Sequence, residues 1–299
     1  MPYEWIGFGV FAVLTVLPGV PLLVLVMRRL RRQPVSRGRL AAAAAVAGIV
    51  YAGVTIDAFL IEPNWPEFEK IELTADVPRP LTILHLSDLH LEEKEVRRER
   101  WLAARLAEFQ PDIAVVTGDI HQMGMHEVLP VRRMLKNIQA RLGVFGCIGF
   151  DSRRILEEAA PRMRVLENET VLINDGGFTV GVCGLRETAG RDRAYEAVST
   201  ADFRLVINHT PDLADEAADN RAHLYLCGHT HGGQVRIPFW GAIITNSASG
   251  KKYEAGLYTI GKTFIYTSRG FGLEPRPAPQ VRFFCRPQIT LIKLKPKKK

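Results

Sequence analysis

The chain has 299 residues, of which 47% are apolar and 24% charged, and a formal charge of +7. That length holds one large domain or two ordinary ones, with apolar residues ample for a core. Six arginines lie within 28–39 and five lysines lie from Lys293 onward, which leaves 28 basic against 32 acidic residues elsewhere, so the globular part is not basic and a nucleic-acid groove is excluded as its main surface.

In chain order, the first feature is the run from Trp5 to Met27, which carries no charge. It is long enough to span a bilayer as a helix and lacks the short apolar core and small-residue cleavage site of a secretory signal, so a retained anchor is expected. The arginine-rich stretch RRLRRQPVSRGR follows, and then Leu40 to Ile61, alanine-rich with one charge at Asp57. The positive-inside rule places the arginines in the cytoplasm. If both apolar stretches span as a transmembrane hairpin, the rest of the chain is extracytoplasmic; if only the first spans, it faces the cytoplasm. The second stretch also reads as an interfacial or buried amphipathic helix. The arginine stretch and the tail KLKPKKK both suit anionic lipid headgroups, and the tail equally reads as a solvated end. Residues 62–80, EPNWPEFEKIELTADVPRP, have the prolines of a linker. The expected organisation is an anchor over 1–62, a linker over 63–80, a globular domain over 81–294 and a basic tail over 295–299.

Within that domain LTILHLS reads as a buried strand, and Leu102, Leu106 and Phe109 repeat at helical spacing. DIAVV is a second strand, followed by Val128, Val131, Leu135 and Ile138 on one helix face. VFGCIG and the helix-like RRILEEAA extend an α/β succession. Later runs (FTVGVCGL, FRLVINH, HLYLCG, GLYTIG, TFIYTS, QITLIKL) have fewer helices between them and predict a second sheet. Cys147, Cys183, Cys227 and Cys285 are far apart in apolar runs, and read as small buried hydrophobes in preference to disulfides or ligands.

The chemistry lies in what ends these strands. The first runs into SDLH, the second into TGDI, and later ones into INHTPD and GHTHGG. Asp88, His90, Asp119, His209, His229 and His231 thus stand at or just past strand C-termini, where open α/β sheets place their ligands. Asp88 with His90, and His229 with His231, are two residues apart and point to one side of an extended chain. Each alone has a bland reading: a helix cap for Asp88, a satisfied core histidine for His209, an ordinary loop for His-x-His. Their recurrence at four strand ends is harder to dismiss. His85, His121, His126 and His223 lack that support and are expected to be structural or on the surface. Imidazole and carboxylate without thiolate suit Mn2+, Zn2+ or Fe2+, and six such side chains divide between two ions if a carboxylate bridges them.

With HLSDLH, VVTGDI, NHTPD, GHTHGGQ and CRPQITLI in one chain, the sequence from Leu81 to Leu294 resembles the calcineurin-like metallophosphoesterases. It is most similar to their bacterial membrane-anchored branch of phosphodiesterases and lipid-precursor pyrophosphatases. The resemblance implies an α/β fold, an αββα sandwich of two sheets flanked by helices, here preceded by the N-terminal transmembrane hairpin. It implies that Asp88, His90 and His231 hold one metal, that Asp119 bridges, and that His209 and His229 hold the second, with Mn2+ the first choice. The implied activity is hydrolysis of a phosphodiester or pyrophosphate bond by a metal-bridged hydroxide. The substrate would be lipid- or nucleotide-linked, such as UDP-2,3-diacylglucosamine, at a bacterial cell membrane, with no nucleic-acid partner.

One family motif departs. Where the family has Gly-Asn-His-Asp or Gly-Asn-His-Glu, this chain reads CIGFDSRR, with Phe150 and Asp151 after Gly149. Either Asp151 replaces the asparagine as a ligand, or the second metal keeps Asp119, His209 and His229 alone, or the site no longer turns over and the protein is a non-catalytic or low-activity metal binder. Retention of six costly clustered ligands favours activity. Without the family histidine, a leaving group that needs little protonation is expected, as in a pyrophosphate or an activated phosphodiester. Arg153 or Arg154 would then hold phosphate oxygens, unless both are helix-surface residues.

Overall fold

The structure, a computed structural model, describes residues 19, 23–29, 31, 36–122, 128–151, 153–275 and 278–297. The expected first span, Trp5 to Met27, lies outside these residues except for 19 and 23–27, which are helical.

Strands apolar on both faces need cover on both sides, and β2 (Leu81–Leu86), β3 (Ile113–Thr117) and β4 (Gly143–Cys147) are of this kind. They run parallel in the middle of a six-stranded sheet ordered β1-β14-β2-β3-β4-β5, where β1 is Glu67–Ala75, β5 is Met163–Val165 and β14 is Gln288–Pro296. A second six-stranded sheet is built from β6 (Glu169–Asp175), β7 (Phe178–Gly184), β8 (Phe203–Ile207), β9 (Leu224–Cys227), β12 (Gly256–Ile260) and β13 (Thr263–Thr267), in the order β12-β13-β9-β8-β7-β6. Between β9 and β12 the chain makes a small hairpin, β10 (Arg236–Ile237) with β11 (Gly241–Ala242).

The two-residue alternation of a strand sends its side chains into different cores. Leu84, Leu86, Ala114 and Val116 pack with Leu102 and Leu106 of α2 (Arg97–Glu108), Val131 and Met134 of α3 (Val128–Leu135) and Leu156 of α4 (Arg153–Ala159). Their neighbours Ile83, Val115 and Phe145 meet Val180, Val182, Leu205 and Leu226 between the sheets. On the far face of the second sheet Val206, Tyr225 and Cys227 pack with Ala194 and Val198 of α5 (Arg191–Ser199) and Ala217 of α6 (Ala214–Asp219). The layers are therefore helix, sheet, sheet, helix, and the two cores outside the inter-sheet space explain why each central strand reads as continuously apolar. All four cysteines are free and buried, as expected of small hydrophobes.

Two expected boundaries move. The stretch 63–80 contains β1, a nine-residue edge strand parallel to β14, with Ile71 opposite Ile292. Its prolines (Pro63, Pro66, Pro78, Pro80) all fall outside the strand, where a missing N–H costs no ladder bond, so they framed an element that they had disguised. The basic tail likewise starts inside β14, and Lys295 and Lys297 pair with Glu72 and Asp76 on and beside β1.

The second apolar stretch forms α1 (Arg37–Ile56), which continues through a π-turn over Asp57–Ile61 to a short turn ending at Asn64. From Gly38 to Asn64 it is long and apolar enough to cross a membrane, and its apolar length is almost entirely unburied. A helix buried in the domain is thereby excluded. The π-turn has a consequence: the Glu62 amide bonds back to Asp57 O, which frees the Ala58 carbonyl to accept from the amide of Arg282 at 3.0 Å. Ala58 itself is buried with Val235 and Val281.

Candidate metal centre

The loops that leave β2 and β3 are bonded to each other, with Asp88 N donating to Gly118 O at 3.1 Å and His90 N to Asp119 O at 3.0 Å. Those that leave β8 and β9 are joined by Gly228 N to His209 O at 2.9 Å. The two sheets then meet where His229 N donates to Asp88 Oδ1 at 3.0 Å. Gly228 permits this approach, because a Cβ there would overlap Ser87 Oγ and Asp88 Oδ2. Five of the six candidate ligands, Asp88, His90, Asp119, His229 and His231, have positive φ between 39° and 69°. A left-handed backbone costs a non-glycine residue about 1–2 kcal/mol, and a cluster of such residues is typical of functional sites held in place by their surroundings.

All six side chains converge. His90 Nε2 and His231 Nε2 are 3.1 Å apart, and His231 Nε2 is 3.6 Å from Asp88 Oδ1. His209 Nε2 and His229 Nδ1 are also 3.1 Å apart. Asp119 Oδ2 lies between the pairs, 3.6 Å from His90 Nε2 and 3.5 Å from His209 Nε2. The ligand atoms of Asp88, His90 and His231 lie within 4.8 Å of one another, and so do those of Asp88, Asp119 and His209.

The outer hydrogen bonds decide which nitrogens are free. His209 Nδ1 faces the Thr117 carbonyl at 2.9 Å and His229 Nε2 faces the Asn246 carbonyl at 3.1 Å. A carbonyl only accepts, so these two nitrogens carry the ring hydrogens, and His209 Nε2 and His229 Nδ1 present lone pairs to each other. Facing lone pairs require a positive charge between them. At the His90–His231 pair protons serve poorly, since burial drives His90 down to about 4 and His231 well below the usual imidazole value; burial lowers His229 as well. Burial also pushes the Asp88 carboxyl up to about 7. His209 differs: burial opposes its protonation, but Asp119 and Asp88 outweigh burial and raise it. Buried carboxylates interleaved with four imidazoles, three of which resist protonation, make a donor set that fits divalent cations.

The other expected site residues are placed differently. Asp151 does not join either ligand group: its carboxylate accepts from Ile120 N at 3.0 Å and His121 N at 3.3 Å, so it fastens the loop that follows Asp119. The place of the family asparagine is taken by Phe150, whose amide donates to Asp119 Oδ1 at 2.7 Å. The exposed Phe150 ring lies beside His209 and His229, with centroids 6.1 and 6.3 Å away. Arg153 is held by Glu157 at 2.9 Å and Glu169 at 3.1 Å on α4 and its surroundings, and Arg154 is exposed on the same helix. Both are helix-surface residues, the bland reading. His85 is structural, its Nε2 2.8 Å from Thr117 Oγ1; His121 is buried against Asp151 and His223 pairs with Arg204. His126 lies outside the described residues.

Three contributors carried no spacing signal. Glu274 Oε2 lies 3.2 Å from His231 Nε2, and burial pushes its carboxyl up to about 8. Asn246 orients His229 through its carbonyl, and its side chain lies 3.5 Å from Glu274 Oε1. The fully buried Arg282 donates to the carbonyls of Arg269, Gly270, Gly272 and Cys285 and lies 3.5 Å from His231 Nδ1. It thereby holds the 269–272 loop in place, where Gly272 N donates to Asp88 O at 2.6 Å. Beside the second histidine pair is a cavity of about 430 Å³ lined by Phe150, Arg186, Thr188, His209, His229 and Asn246, among others.

A sequence model of the calcineurin-like phosphoesterase superfamily domain matches residues 81–238. The chain is 32% identical over 234 residues to an uncharacterised metallophosphoesterase of Bacillus subtilis, YkuE, covering 71% of this chain and 78% of that one. It is 30% identical over 253 residues to phosphodiesterase YaeI of Escherichia coli, covering 78% and 90%. To the UDP-2,3-diacylglucosamine pyrophosphatase LpxG of Chlamydia muridarum it is 22% identical over 280 residues, covering 71% and 83%.

Proposed function

Because the chain belongs to the calcineurin-like phosphoesterase superfamily and is a hydrolase acting on phosphoester bonds, we propose that it is a membrane-anchored, two-metal phosphohydrolase that cleaves a phosphodiester or pyrophosphate bond in a lipid-linked substrate. The observation that carries this reading is the pair of histidine couples, each with nitrogens 3.1 Å apart, on either side of Asp119. Asp88, His90 and His231 would hold one ion and His209 and His229 the other, with Asp119 between them. Mn2+ is the first choice, since the donor set has oxygen and imidazole but no thiolate. Such ions polarise phosphoryl oxygens and make water a nucleophile at neutral pH. The chain positions and orients: Thr117 O and Asn246 O keep ring hydrogens away from the ligand nitrogens, and Arg186, which lines the adjoining cavity with its guanidinium paired to Glu167, would reach phosphate oxygens only through its remaining N–H groups.

Phe150 is apolar and Asp151 is engaged with backbone amides, so neither supplies a proton to a departing oxygen. That favours a phosphate or nucleotide leaving group over an unassisted alkoxide. LpxG is a pyrophosphatase by name and YaeI a phosphodiesterase; the pyrophosphate class suits this loop better. A second reading, a low-activity metal binder, is favoured only by the apolar ring at 150.

The exposed apolar helix Gly38–Asn64 supports a membrane span. Together with Trp5–Met27 it would form a hairpin with the arginines in the cytoplasm and the hydrolase domain outside. Protease protection in oriented vesicles tests that topology, and a protected domain on the cytoplasmic face would return UDP-2,3-diacylglucosamine to the front. For the chemistry, the full chain with Mn2+ should hydrolyse pyrophosphate-linked and aryl-activated diesters well and unactivated alkyl diesters poorly. Equal rates on the three would contradict the reading.

A further inference from the structure

The hydrolase domain does not hang from the end of the apolar helix; it grips the helix below its end. Ala58 is three residues before Ile61, inside the π-turn, yet it packs with Val235 and Val281 and its carbonyl is bonded to Arg282 N. Val54, Ile243, Ile244 and Phe283 pack against the same cluster. Glu62, at the helix end, accepts from the amides of Phe284 and Cys285. If the last apolar turn of the helix is in lipid, segments 235, 243–244 and 281–284 are level with it.

The surface that continues from this contact is aromatic. The β10–β11 hairpin tip carries Phe239, fully exposed, and Trp240, 68% exposed; Phe284, 57% exposed, lines a shallow cleft together with both. Trp65 follows the helix at 58% exposure, with the Arg286 guanidinium 4.3 Å above its ring. Large aromatic side chains gathered in solvent around the end of an apolar helix are costly in water and suited to the bilayer interface.

We propose that the face formed by Phe239, Trp240, Phe284 and Trp65 seats in the lipid interface beside the helix, so that the site takes phosphoester substrates anchored in the same leaflet. This rests on the membrane reading of Gly38–Asn64 and goes beyond anchoring, since an anchor alone leaves the domain free to stand off the surface. The connection to the site is short. Ile244 belongs to the helix contact, and two residues on, about 7 Å of extended chain, Asn246 lines the cavity and bonds His229. On the other side Arg282 links Ala58 to the loop against Asp88. An apolar face buried by roughly 5–10 Å would thus bring the cavity mouth to the headgroup level.

The test uses the full chain in nanodiscs of phosphatidylethanolamine and phosphatidylglycerol. The native cysteines are all buried, so a Phe239→Cys variant takes an environment-sensitive fluorophore at one place; Trp240→Cys serves if the first expresses poorly. Lys262→Cys, exposed in the turn between β12 and β13 at the opposite end of the sheet, is the reference. Acyl-chain-brominated lipid should quench the label at 239 several-fold more than the label at 262, with a blue-shifted emission. Equal quenching in a chain that co-floats with lipid would overturn the proposal while leaving the anchor intact, and failure to co-float would sink the membrane reading itself. A label at 239 shielded in detergent yet unquenched by brominated lipid would assign the face to a protein partner and also overturn it.

Discussion

The amide of Phe150 donates to Asp119 Oδ1 at 2.7 Å. The residue at the family's asparagine position therefore steadies the central carboxylate through its backbone and offers no side-chain ligand. Phe150→Asn keeps that amide and adds an oxygen donor beside His209 and His229. It is expected to lower the Mn2+ concentration for half-maximal hydrolysis by about tenfold, the equivalent of 1.4 kcal/mol. Metal titration of turnover checks this, and an unchanged midpoint would mean that the ring does not border an ion.

Asp151 separates positioning from ligation. Asp151→Ala leaves the amides of Ile120 and His121 buried without an acceptor, at about 1–3 kcal/mol each, and should lower the melting temperature. Asp151→Asn retains an acceptor oxygen and should retain full metal content. Loss of metal in a stably folded Asp151→Asn protein would restore Asp151 to the ligand set.

Gly228 is where the two sheets close on each other. A methyl group there would overlap Ser87 Oγ and Asp88 Oδ2, so Gly228→Ala should cost about 1–3 kcal/mol as overpacking and displace Asp88. Denaturant titration alongside metal analysis would read both effects; an alanine variant with native stability and metal content would refute the tight approach.

Arg153, engaged with Glu157 and Glu169 at the surface, should be dispensable. Arg153→Ala is expected to change stability by no more than about 0.5 kcal/mol and to leave kcat/KM on a soluble diester unaltered. A large fall in kcat/KM would place its guanidinium on the substrate.

The six-residue constellation was legible because each member ends a strand, and strand ends are what both the apolar runs and the His-x-His and Asp-x-His spacings mark. The left-handed backbone at five of them was not legible, since it is imposed by close packing such as that at Gly228. Which of the alternatives open to Asp151 and Arg153 applies was not legible, because chain proximity to Gly149 says nothing about direction; in the fold Asp151 turns to the amides of Ile120 and His121, and at the start of α4 the arginine side chain turns to acids on its own helix and on β6. Glu274 and Arg282 sit in GLEPRPAPQVRFF without periodicity, and only the folded loop brings them to His231. β1 was hidden by flanking prolines that never enter its ladder. The α/β succession and most of the second sheet followed from run length and alternation, which depend on local pattern alone; QITLIKL, expected in the second sheet, instead returns to the first as β14 between β1 and β2, because a local pattern does not tell which sheet a strand joins.

The central claim is that Asp119 sits between two bound cations. Equilibrium dialysis of the full chain against Mn2+ followed by elemental analysis measures this directly. Close to two ions per wild-type chain, with loss of both occupancy and hydrolysis in Asp119→Ala, is the predicted result. A wild-type chain that retains no ion, or an Asp119→Ala variant with wild-type occupancy and turnover, would contradict it.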